Sequence, residues 1–384
     1  MNTASAVNAL KLLIVEPWFD GSHRRWAEGY QQASSHDVHV LGLPGELWRW
    51  RLRGGAVPLA DLIQTWMAAN GRPDVLMVSG LVDVSQLLGL TRRHLNGTPV
   101  VVYQHESQLL YPTQSAVDQD SALHNWLSWL AADEVWFNSP FHMYGVIERL
   151  EPWLEQLPDK SHLPKVDEVT KKFVVEPVGV DVQGIRNLPE VPVPPGPPVI
   201  LWPHRWEADK DPEAFGNALM KVAQAGHEFG LILAGEDPAG FSGSADEARQ
   251  RIAQAFGARV LAVGPFDHAR YRMALARADI VVSCAKHEFF GIAVVEAIAA
   301  GCVPVLPRAL SYPDLIPRDW HEAVLYEPGT FGTALTSALV SFTHRKRATA
   351  GLAGSMERYD WPVIARRYDE RLLALREQPR RPGR

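Results

Sequence analysis

Short apolar runs recur along the chain, and a longer segment of mixed polarity follows each of them. Apolar runs of about 4–8 residues are typical of strands buried on both faces. The segments between them, such as Leu81–His94, have the length of helices. Strands that alternate with helices predict a parallel sheet with right-handed crossovers. In the first half the predicted strands are Lys11–Glu16, Val38–Leu43, Asp74–Ser79, Pro99–Gln104, Glu134–Asn138 and Phe173–Pro177.

The same pattern restarts after a proline-rich segment, Pro189–Pro198, whose sequence is PEVPVPPGPP. Proline-rich chain forms a semi-rigid spacer and contributes little to helices or sheets. We therefore predict an N-terminal domain over residues 1–188, a linker over 189–198 and a C-terminal domain over 199–360. In the second half the predicted strands are Val199–Pro203, Phe229–Ala234, Val260–Gly264, Ile280–Cys284 and Val303–Pro307.

This organisation predicts an α/β protein with two Rossmann-like, doubly wound domains that face each other across a cleft. In open α/β sheets, ligands bind beyond the carboxyl ends of the strands. Polar motifs that directly follow a predicted strand are therefore the candidates for chemistry. Residues 361–376 have the pattern of an amphipathic helix, and that pattern alone does not show which domain the helix packs on.

Composition and charge narrow the class of protein. Hydrophobic residues make up 46% and charged residues 21% of the chain, which is typical of a globular protein. The net charge of -6 excludes a basic field over the whole chain, although a local basic patch remains compatible with RNA. Cys284 and Cys302 have no metal-ligand spacing, and no apolar stretch approaches membrane-spanning length. We expect a cytoplasmic protein with no membrane partner.

The strongest motif is His287–Glu296, with the sequence HEFFGIAVVE, which follows a predicted strand. A helix that begins near Phe290 presents free N–H groups and a positive dipole end to a phosphate. Glu288 then lies at the start of the helix and Glu296 about two turns further on. Carboxylates accept hydrogen bonds from sugar hydroxyls, which suits one glutamate to a donor sugar and the other to a ribose. The alternative is two ordinary helix glutamates, one of which caps the helix.

A second motif, Pro203–Glu213, follows the first strand of the C-terminal domain. Arg205 and Lys210 can converge on a diphosphate, the arginine as a planar fork and the lysine as a point charge. Together they neutralise the charge that grows on a nucleoside-diphosphate leaving group, so no metal is needed. The alternative is a solvated loop with a helix cap at Asp211.

Three motifs of the N-terminal domain are candidates for the remaining contacts. Gly21 follows the first strand and allows close approach of a ligand to the backbone, although many turns carry glycine. His105 follows another strand and suits a sugar hydroxyl, although a single histidine is more often structural. Trp48–Arg53 interleaves aromatic rings with arginines, as stacking on bases and pairing with phosphates require, and the alternative there is an amphipathic segment with its tryptophans in the core.

Taken together, these motifs resemble those of the tRNA-queuosine α-mannosyltransferase family of retaining GT-B glycosyltransferases. The resemblance runs from about Ile14 to Pro313, and the set of motifs is more specific than any one of them. The matching motifs are GSH at Gly21–His23, WRW at Trp48–Trp50, HE-Q-L-YP at His105–Pro112, FNS at Phe137–Ser139, PHRWE-DKDPE at Pro203–Glu213 and AKHEFFG-A-EA at Ala285–Ala297.

The resemblance implies transfer of mannose from GDP-mannose, with retention, to the cyclopentene ring of queuosine in the anticodon of tRNA-Asp. It implies neither a metal nor any other cofactor, and no obligate protein partner is evident. The tail helix is expected to cross back onto the N-terminal domain, as in GT-B enzymes generally. Retaining enzymes of this fold are thought to react on one face of the sugar, where a donor phosphate oxygen takes the proton of the acceptor.

The site residues follow position by position. The expected catalytic residues are His105 and Glu288. The expected donor-binding residues are Gly21, Arg205, Lys210, Glu288, Phe290, Gly291, Ile292 and Glu296, and loops at Gly264 and Phe266 are expected to touch the nucleobase. The expected acceptor and tRNA contacts are Ser22, His23, Trp48, Arg49, Trp50, Arg51, Arg53, Glu106 and Gln108, with a further basic segment over Lys160–Lys172.

Other functions remain compatible with these residues. A GT-B glycosyltransferase with a lipid, glycan or small-metabolite acceptor would have the same donor motifs. A non-catalytic module that binds a sugar nucleotide or RNA is an alternative from another class, and a GT-B epimerase is a third. The sequence pattern does not distinguish a guanine from a uracil nucleotide.

Overall fold

The computed structural model describes residues 9–111, 116–188, 196–235 and 244–378. The chain divides into two compact units, residues 1–179 with 361–384 and residues 180–360. The division at 179/180 precedes the expected domain boundary at 188. Most of the predicted linker, residues 189–195, lies outside the described residues.

The first unit is built on a parallel sheet of six strands in the order β2-β1-β3-β4-β5-β6. Its strands are β1 Lys11–Phe19, β2 Asp37–Pro44, β3 Val75–Ser79, β4 Val100–Gln104, β5 Glu134–Phe137 and β6 Phe173–Val175. Its helices are α1 Gly21–Ala33, α2 Trp48–Gly54, α3 Ala56–Asn70, α4 Val84–Leu95, α5 Ala116–Ala131, α6 Pro140–Leu154 and α7 Val166–Thr170, together with the last helix of the chain, given below.

The second unit has its own parallel sheet, in the order β12-β11-β10-β7-β8-β9. Its strands are β7 Val199–Trp202, β8 Gly230–Leu233, β9 Val260–Val263, β10 Ile280–Val282, β11 Val303–Pro307 and β12 Leu325–Tyr326. Its helices are α8 Val182–Arg186, α9 Pro212–Gln224, α10 Ser244–Phe256, α11 His268–Arg277, α12 Ile292–Ala299, α13 Tyr312–Leu315, α14 His321–Val324, α15 Phe331–Val340, α16 Phe342–Ala348 and α17 Leu352–Ser355.

The strands form where the sequence is continuously apolar. All residues of β3 and β4 are buried, as expected for central strands covered by helices on both faces. In the second unit, the rings of Trp202 and Phe215 stack 4.2 Å apart, which packs α9 against β7. The two doubly wound sheets predicted from the sequence are confirmed, and the short strand β12 was not predicted because two residues give no pattern.

The last helix, α18 Trp361–Glu377, packs against α1 in the first unit. Its Asp369 is buried and accepts hydrogen bonds from the hydroxyl of Tyr30 at 2.8 Å and from the hydroxyl of Ser34 at 2.6 Å. The backbone N–H and the hydroxyl of Ser35 donate to the same carboxylate, both at 2.7 Å. Four donors satisfy this buried carboxylate, so the attachment of α18 is specific as well as apolar.

Polar side chains just before the first residue cap several helices. Ser139 caps α6 by accepting from the N–H of His142, and Asp211 caps α9 by accepting from the N–H of Ala214. Among the described residues, no helix combines the length and the apolar character that crossing a bilayer requires.

Candidate functional site

In the second unit, the two strongest motifs lie on loops that follow neighbouring strands. Strand β7 pairs with β10 through Ile200 and Ile280, and it pairs with β8 on its other side. The chain therefore continues to opposite sides of β7, and this reversal creates the crevice at which open α/β sheets bind ligands. The loop after β7 carries Arg205 and Lys210, and the loop after β10 carries Glu288.

Backbone hydrogen bonds tie these two loops together. The N–H of Lys286 donates to the carbonyl of Asp209 at 2.6 Å. The ammonium of Lys210 donates to the carbonyl of His287 at 2.7 Å. It also lies 3.4 Å from Oε2 of Glu288 and 3.2 Å from Oδ2 of Asp209. The structure therefore brings the predicted lysine and the first predicted glutamate into direct contact.

The protonation state of Lys210 follows from these neighbours. Burial alone would lower the pKa of Lys210, but the carboxylates of Glu288 and Asp209 outweigh it and raise that pKa above its usual value. Burial, and then the charge of Lys210, lower the pKa of the adjacent His204 to about 4. At neutral pH the loop therefore presents an ammonium beside a neutral imidazole.

Arg205 differs from Lys210 in its exposure. About half of its side chain, 52%, is exposed, and its guanidinium lies 3.1 Å from the carboxylate of Glu207. Its charge lowers the pKa of Lys210, which places the two cations within electrostatic reach of each other.

The alternative hypothesis for this loop was a solvated turn with a helix cap at Asp211. Asp211 does cap α9, so the loop both caps this helix and presents two cations.

Helix α12 begins beside these groups. Gly291 precedes its first residue, Ile292, with a φ of 99°, a left-handed conformation that favours glycine. The carbonyl of Phe290 accepts from the hydroxyl of Ser311 at 3.0 Å, which fixes the loop before the helix. The N–H groups of Val294 and Val295 donate to the carbonyl of Gly291 at 3.0 and 3.1 Å. The N–H groups before them belong to the start of the helix, where backbone donors without a partner in the helix can bind a phosphate.

Glu296 lies further along α12 and is buried. The hydroxyl of Tyr271 donates to its Oε2 at 2.8 Å. The two glutamates therefore differ in surroundings, since Glu288 faces an ammonium and Glu296 faces a phenol.

The predicted nucleobase residues lie after β9, at the same edge of the sheet. The N–H of Gly264 donates to the carbonyl of Leu233 at 2.7 Å, and a cis peptide bond joins Gly264 to Pro265. Phe266 follows and is half-buried. A neighbouring position, Gly235, lies so close to the carbonyl of His204 that any side chain there would clash.

A cavity of about 1180 Å³ lies at the opposite edge of this sheet. Pro198, Phe229 and Asp279, which precede β7, β8 and β10, are among the residues that line it. None of the predicted donor residues does so, and the cavity therefore does not belong to the site described above.

In the first unit, the predicted His23 and His105 meet around a residue that the sequence did not single out, Glu16. Nδ1 of His23 lies 3.1 Å from Oε1 of Glu16, and Nε2 of His105 lies 3.8 Å from Oε2. The two imidazole rings are 4.0 Å apart. Burial, followed by the charges of His23 and His142, holds the pKa of His105 well below its usual value. His105 is therefore neutral at physiological pH.

The segment Phe137–Ser139 contacts the backbone of His105. The amide of Asn138 donates to the carbonyl of His105 at 2.7 Å, and its oxygen lies 2.9 Å from Nδ1 of His142. Burial lowers the pKa of His142 to about 3. The FNS motif therefore fixes the backbone that carries His105.

Gly21 and Ser22 form the first turn of α1. Gly21 has a φ of 48°, and its N–H donates to the side chain of Asp20 at 2.8 Å.

The predicted acceptor residues Glu106 and Gln108 contact each other after β4. The carboxylate of Glu106 accepts from the amide of Gln108 at 3.3 Å and from the hydroxyl of Tyr111 at 2.9 Å. Gln108 is buried, so it supports the loop.

The predicted RNA-binding segment Trp48–Arg53 forms most of α2. Some of its side chains are exposed and others are buried or paired. Leu52 is buried, and Trp50 is 62% exposed. The guanidinium of Arg49 lies 4.7 Å from the ring centre of Trp48. Arg51 donates to the carbonyl of Pro44 at 3.3 Å, and Arg53 pairs with Asp120 at 2.8 Å. The hypothesis that both tryptophans belong to the core is therefore wrong for Trp50.

The second basic segment has structural contacts of its own. The ammonium of Lys172 donates to the carbonyls of Trp129, Leu130 and Ala132 at the end of α5. The ammonium of Lys160 donates to the carbonyls of Glu155 and Leu157. These two lysines neutralise the carbonyl ends of helices, which accounts for their presence without RNA.

Both parts of the chain match protein-family models. Residues 11–180 match the model "tRNA-queuosine alpha-mannosyltransferase N-terminal", and residues 186–346 match "Glycosyl transferases group 1". The chain is 30% identical over 351 residues to a tRNA-queuosine alpha-mannosyltransferase of Drosophila melanogaster, covering 88% of each chain. It is 29% identical over 233 residues to a phosphatidyl-myo-inositol mannosyltransferase of Mycobacterium leprae, covering 56% of this chain and 59% of that relative.

Solved structures share the fold at low sequence identity. Sucrose-phosphate synthase from Thermosynechococcus elongatus has a TM-score of 0.67 at 17% identity, covering 95% of this chain and 99% of that chain. The catalytic domain of starch synthase IV from Arabidopsis thaliana has a TM-score of 0.68 at 13% identity, covering 96% and 100%. The predicted α/β GT-B fold class is thereby confirmed.

Proposed function

Because the chain belongs to the tRNA-queuosine alpha-mannosyltransferase family, we propose that it transfers mannose from GDP-mannose, with retention, to queuosine in the anticodon of tRNA-Asp. The membership makes the chain a glycosyltransferase. The identity to the fly relative extends over most of both chains, which supports the same class of acceptor. A tRNA substrate would place the enzyme in the cytoplasm.

The observation that carries the donor half of the proposal is the contact between Lys210 and Glu288 beside the start of α12. Arg205, Lys210 and the first N–H groups of the helix would hold the diphosphate of the donor. Three positive groups of this kind offset the charge that develops on a departing diphosphate. Glu288 would accept hydrogen bonds from the mannose hydroxyls, and Glu296 from the ribose.

The donor phosphate itself would act as the base. As the bond between the anomeric carbon and the phosphate oxygen breaks, the acceptor oxygen forms its bond on the same face of the sugar. The proton of the acceptor hydroxyl passes to the departing phosphate oxygen, and GDP leaves. The protein then needs to bind, orient and neutralise, and no metal or protein base is required for the balance.

On the acceptor side, the first unit offers two features. Trp50 exposes a ring on α2, flanked by the arginines of the same helix, and such a surface suits the stacking of a base between phosphates. His105 and His23 lie at the carboxyl ends of the strands and would contact the hydroxyls of the acceptor.

The test is transfer of labelled mannose by the purified full-length protein. GDP-mannose is supplied with tRNA that contains queuosine, with the same tRNA carrying guanosine instead, and with no tRNA. We expect labelled tRNA in the first reaction only. Equal labelling of the unmodified tRNA would overturn the queuosine acceptor, and labelling from UDP-sugars alone would overturn the donor.

Two further measurements separate the alternatives. Label recovered in a lipid extract, from a reaction supplemented with phospholipid vesicles, would favour the lipid acceptor that the mycobacterial relative's name suggests for that protein. Free GDP that appears only when acceptor is present would exclude an epimerase.

A further inference from the structure

Asp83 is a buried carboxylate at the carboxyl edge of the first sheet. It lies between the end of β3 and the start of α4, and its side chain is 2% exposed. Its Oδ1 accepts from the N–H of Gln86 at 3.0 Å and from the hydroxyl of Ser85 at 2.5 Å. Its Oδ2 accepts from the amide of Gln86 at 3.0 Å and lies 2.8 Å from Nδ1 of His124 on α5. A helix cap needs only the first of these contacts, so the imidazole requires an explanation of its own.

The position of the proton between Asp83 and His124 follows from the contacts of the carboxylate. Burial alone would raise the pKa of Asp83, but hydrogen bonds from His124, Ser85 and Gln86 outweigh it and lower that pKa to about 2. Asp83 is therefore ionised at neutral pH, and an ionised carboxylate only accepts hydrogen bonds. The proton must then lie on Nδ1 of His124. The carboxylate thus fixes both the ring and the nitrogen that points away from it.

That second nitrogen, Nε2 of His124, is accessible. The side chain is 15% exposed. Among the described residues Nε2 has no hydrogen-bond partner, and it is not one of their buried polar atoms. A ligand can therefore reach the outer edge of an imidazole whose inner edge is held by a buried carboxylate.

The pair lies beside α2, the helix that carries the proposed tryptophan contact with RNA. The N–H of Asp83 donates to the carbonyl of Leu52, within α2, at 3.1 Å. Arg53 of α2 pairs with Asp120 of α5 at 2.8 Å, and Asp120 lies about one helical turn before His124. The accessible imidazole therefore lies next to the arginine-bearing helix, at the edge of the sheet where ligands bind.

We propose that His124, held by Asp83, donates a hydrogen bond from Nε2 to a phosphate of the RNA acceptor, and thereby extends the α2 surface (Trp48–Arg53) onto α5. A protonated imidazole donates from both nitrogens, so the ring joins one anion on its inner side to another on its outer side. Contacts with phosphates position a nucleic acid without reading its sequence. The proposal rests on the proposed function, which supplies RNA as the partner.

A purely structural role is the alternative, in which the pair only joins α4 to α5. That role uses Nδ1 of His124 and gives no task to Nε2. It predicts that substitution of His124 lowers the melting temperature and leaves the binding of RNA by the folded protein unchanged. The two roles therefore differ in a measurement of RNA affinity.

The decisive variant is His124→Gln, which can still donate to Asp83 but has no ring nitrogen in the place of Nε2. Filter binding of queuosine-containing tRNA is measured with the full-length protein at pH ~6, below the ordinary pKa of histidine. We expect the Kd to rise about 10-fold, as for the loss of a charge-assisted hydrogen bond. The slope of log Kd against log salt concentration should become shallower by about 1. The Kd for GDP-mannose should stay unchanged.

The matched control is His39→Gln. His39 lies near the start of β2, at the opposite edge of the same sheet, and its Nε2 lies 3.1 Å from Oδ1 of Asp37. This variant removes another histidine that is paired with an aspartate, and it should leave the Kd for tRNA and the salt dependence unchanged. Because a phosphate contact does not read the base, His124→Gln should lose equal affinity for the same tRNA carrying guanosine in place of queuosine.

The part played by Asp83 is tested by Asp83→Asn, since asparagine caps helices as well as aspartate does. Loss of the charge on the inner side of the ring should raise the Kd for tRNA when His124 is present, and should add nothing in a double variant with His124→Gln. A purely structural Asp83 would alter the melting temperature and leave the Kd unchanged in both backgrounds.

The outcomes separate the two proposals. Wild-type affinity and salt dependence in His124→Gln would overturn the phosphate contact, and so would a loss confined to queuosine-containing tRNA. A wild-type protein that binds neither tRNA would also overturn it. A wild-type protein that binds tRNA in a His124-dependent way and transfers no mannose would contradict the proposed function alone.

Discussion

Lys210 and Glu288 lie on loops that follow adjacent strands of the second sheet, and their charged atoms are 3.4 Å apart. The ammonium has two further partners, the carboxylate of Asp209 and the carbonyl of His287. This set of contacts makes Glu288 replaceable for folding, because Lys210 keeps two partners when Glu288 is removed.

We therefore predict that Glu288→Ala folds normally and loses transfer. The variant removes the proposed acceptor of the sugar hydroxyls, and kcat should fall at least about 100-fold, as for other groups that stabilise a transition state. Initial rates and thermal melting measure the two effects. Glu213→Ala is the control, since Glu213 is exposed on α9 and pairs only weakly with Arg251 at 3.6 Å. Wild-type turnover by Glu288→Ala would contradict the site.

Arg205→Ala should weaken donor binding without affecting the fold. The side chain is about half exposed, so its removal leaves no buried carboxylate unpaired. Loss of a charge-assisted contact with a diphosphate should raise the Kd for GDP-mannose by about 10-fold or more. Isothermal titration calorimetry measures this, with Arg251→Ala as an exposed control in the same unit. An unchanged Kd would remove Arg205 from the donor site.

Trp50→Ala should weaken the binding of tRNA and leave donor binding unchanged. Base stacking on an exposed ring contributes about 1–3 kcal/mol, which corresponds to about 5-fold to 150-fold in Kd. Filter binding with queuosine-containing tRNA measures the loss. Tyr144→Ala is the matched control, because Tyr144 is an equally exposed aromatic residue of the first unit, at 63% against 62%. If the control loses as much affinity as Trp50→Ala, the α2 surface is not the contact.

Transfer should continue after metals are removed. The proposed donor site neutralises the diphosphate with Lys210, Arg205 and a helix start, so a divalent cation has no charge left to supply. The measurement is the initial rate after dialysis against EDTA, with magnesium, manganese and zinc added back separately. A rate that disappears on dialysis and returns with one of these ions would contradict the proposal.

Stability should fall as the pH falls below neutrality. Burial lowers the pKa of His142 to about 3, against about 6.5 in an unfolded chain. The native state therefore binds the proton less readily than the unfolded state, so the stabilisation is complete above pH ~6.5 and is lost as the pH falls towards 3. One such histidine costs about 2 kcal/mol at pH 5. Melting temperatures from pH 7.5 to 4.5 measure this.

His142→Gln should flatten that pH dependence, and replacement of the exposed His344 should not. His204 in the second unit contributes in the same direction, since burial and the charge of Lys210 lower its pKa to about 4. Melting temperatures that stay constant over this range in the wild type would contradict the assignment of neutral, buried histidines.

The sequence predicts those structural features that depend on neighbouring residues, and it misses those that depend on contacts between distant parts of the chain. The strands are predictable because burial on both faces requires a continuous apolar run, as in Val100–Gln104. The contact of Lys210 with Glu288 is predictable because both residues follow strands of one parallel sheet. The burial of Glu16 is not predictable from the sequence. A glutamate at the end of an apolar run usually marks the place where a strand reaches solvent, whereas Glu16 is buried by α1 and by the loop after β4.

Exposure is equally non-local. Trp48 and Trp50 have the same sequence surroundings, yet Trp50 is exposed and Trp48 half-buried, because only neighbours from elsewhere decide which helix face is covered. Lys172 belongs to an exposed-looking basic segment, and its three carbonyl acceptors at the end of α5 lie about 40 residues earlier in the chain.

The docking of α18 on α1 has a consequence for the way this protein is made. A ribosome releases residues up to 179 first, yet the carboxylate that Tyr30, Ser34 and Ser35 require is at position 369. The first unit therefore cannot complete its fold during synthesis of its sheet. One side of α1 stays uncovered until α18 has been synthesised, close to the end of the chain. A premature stop codon before Trp361 would remove α18. The first unit would then be incompletely folded, although residues 1–179 had all been translated.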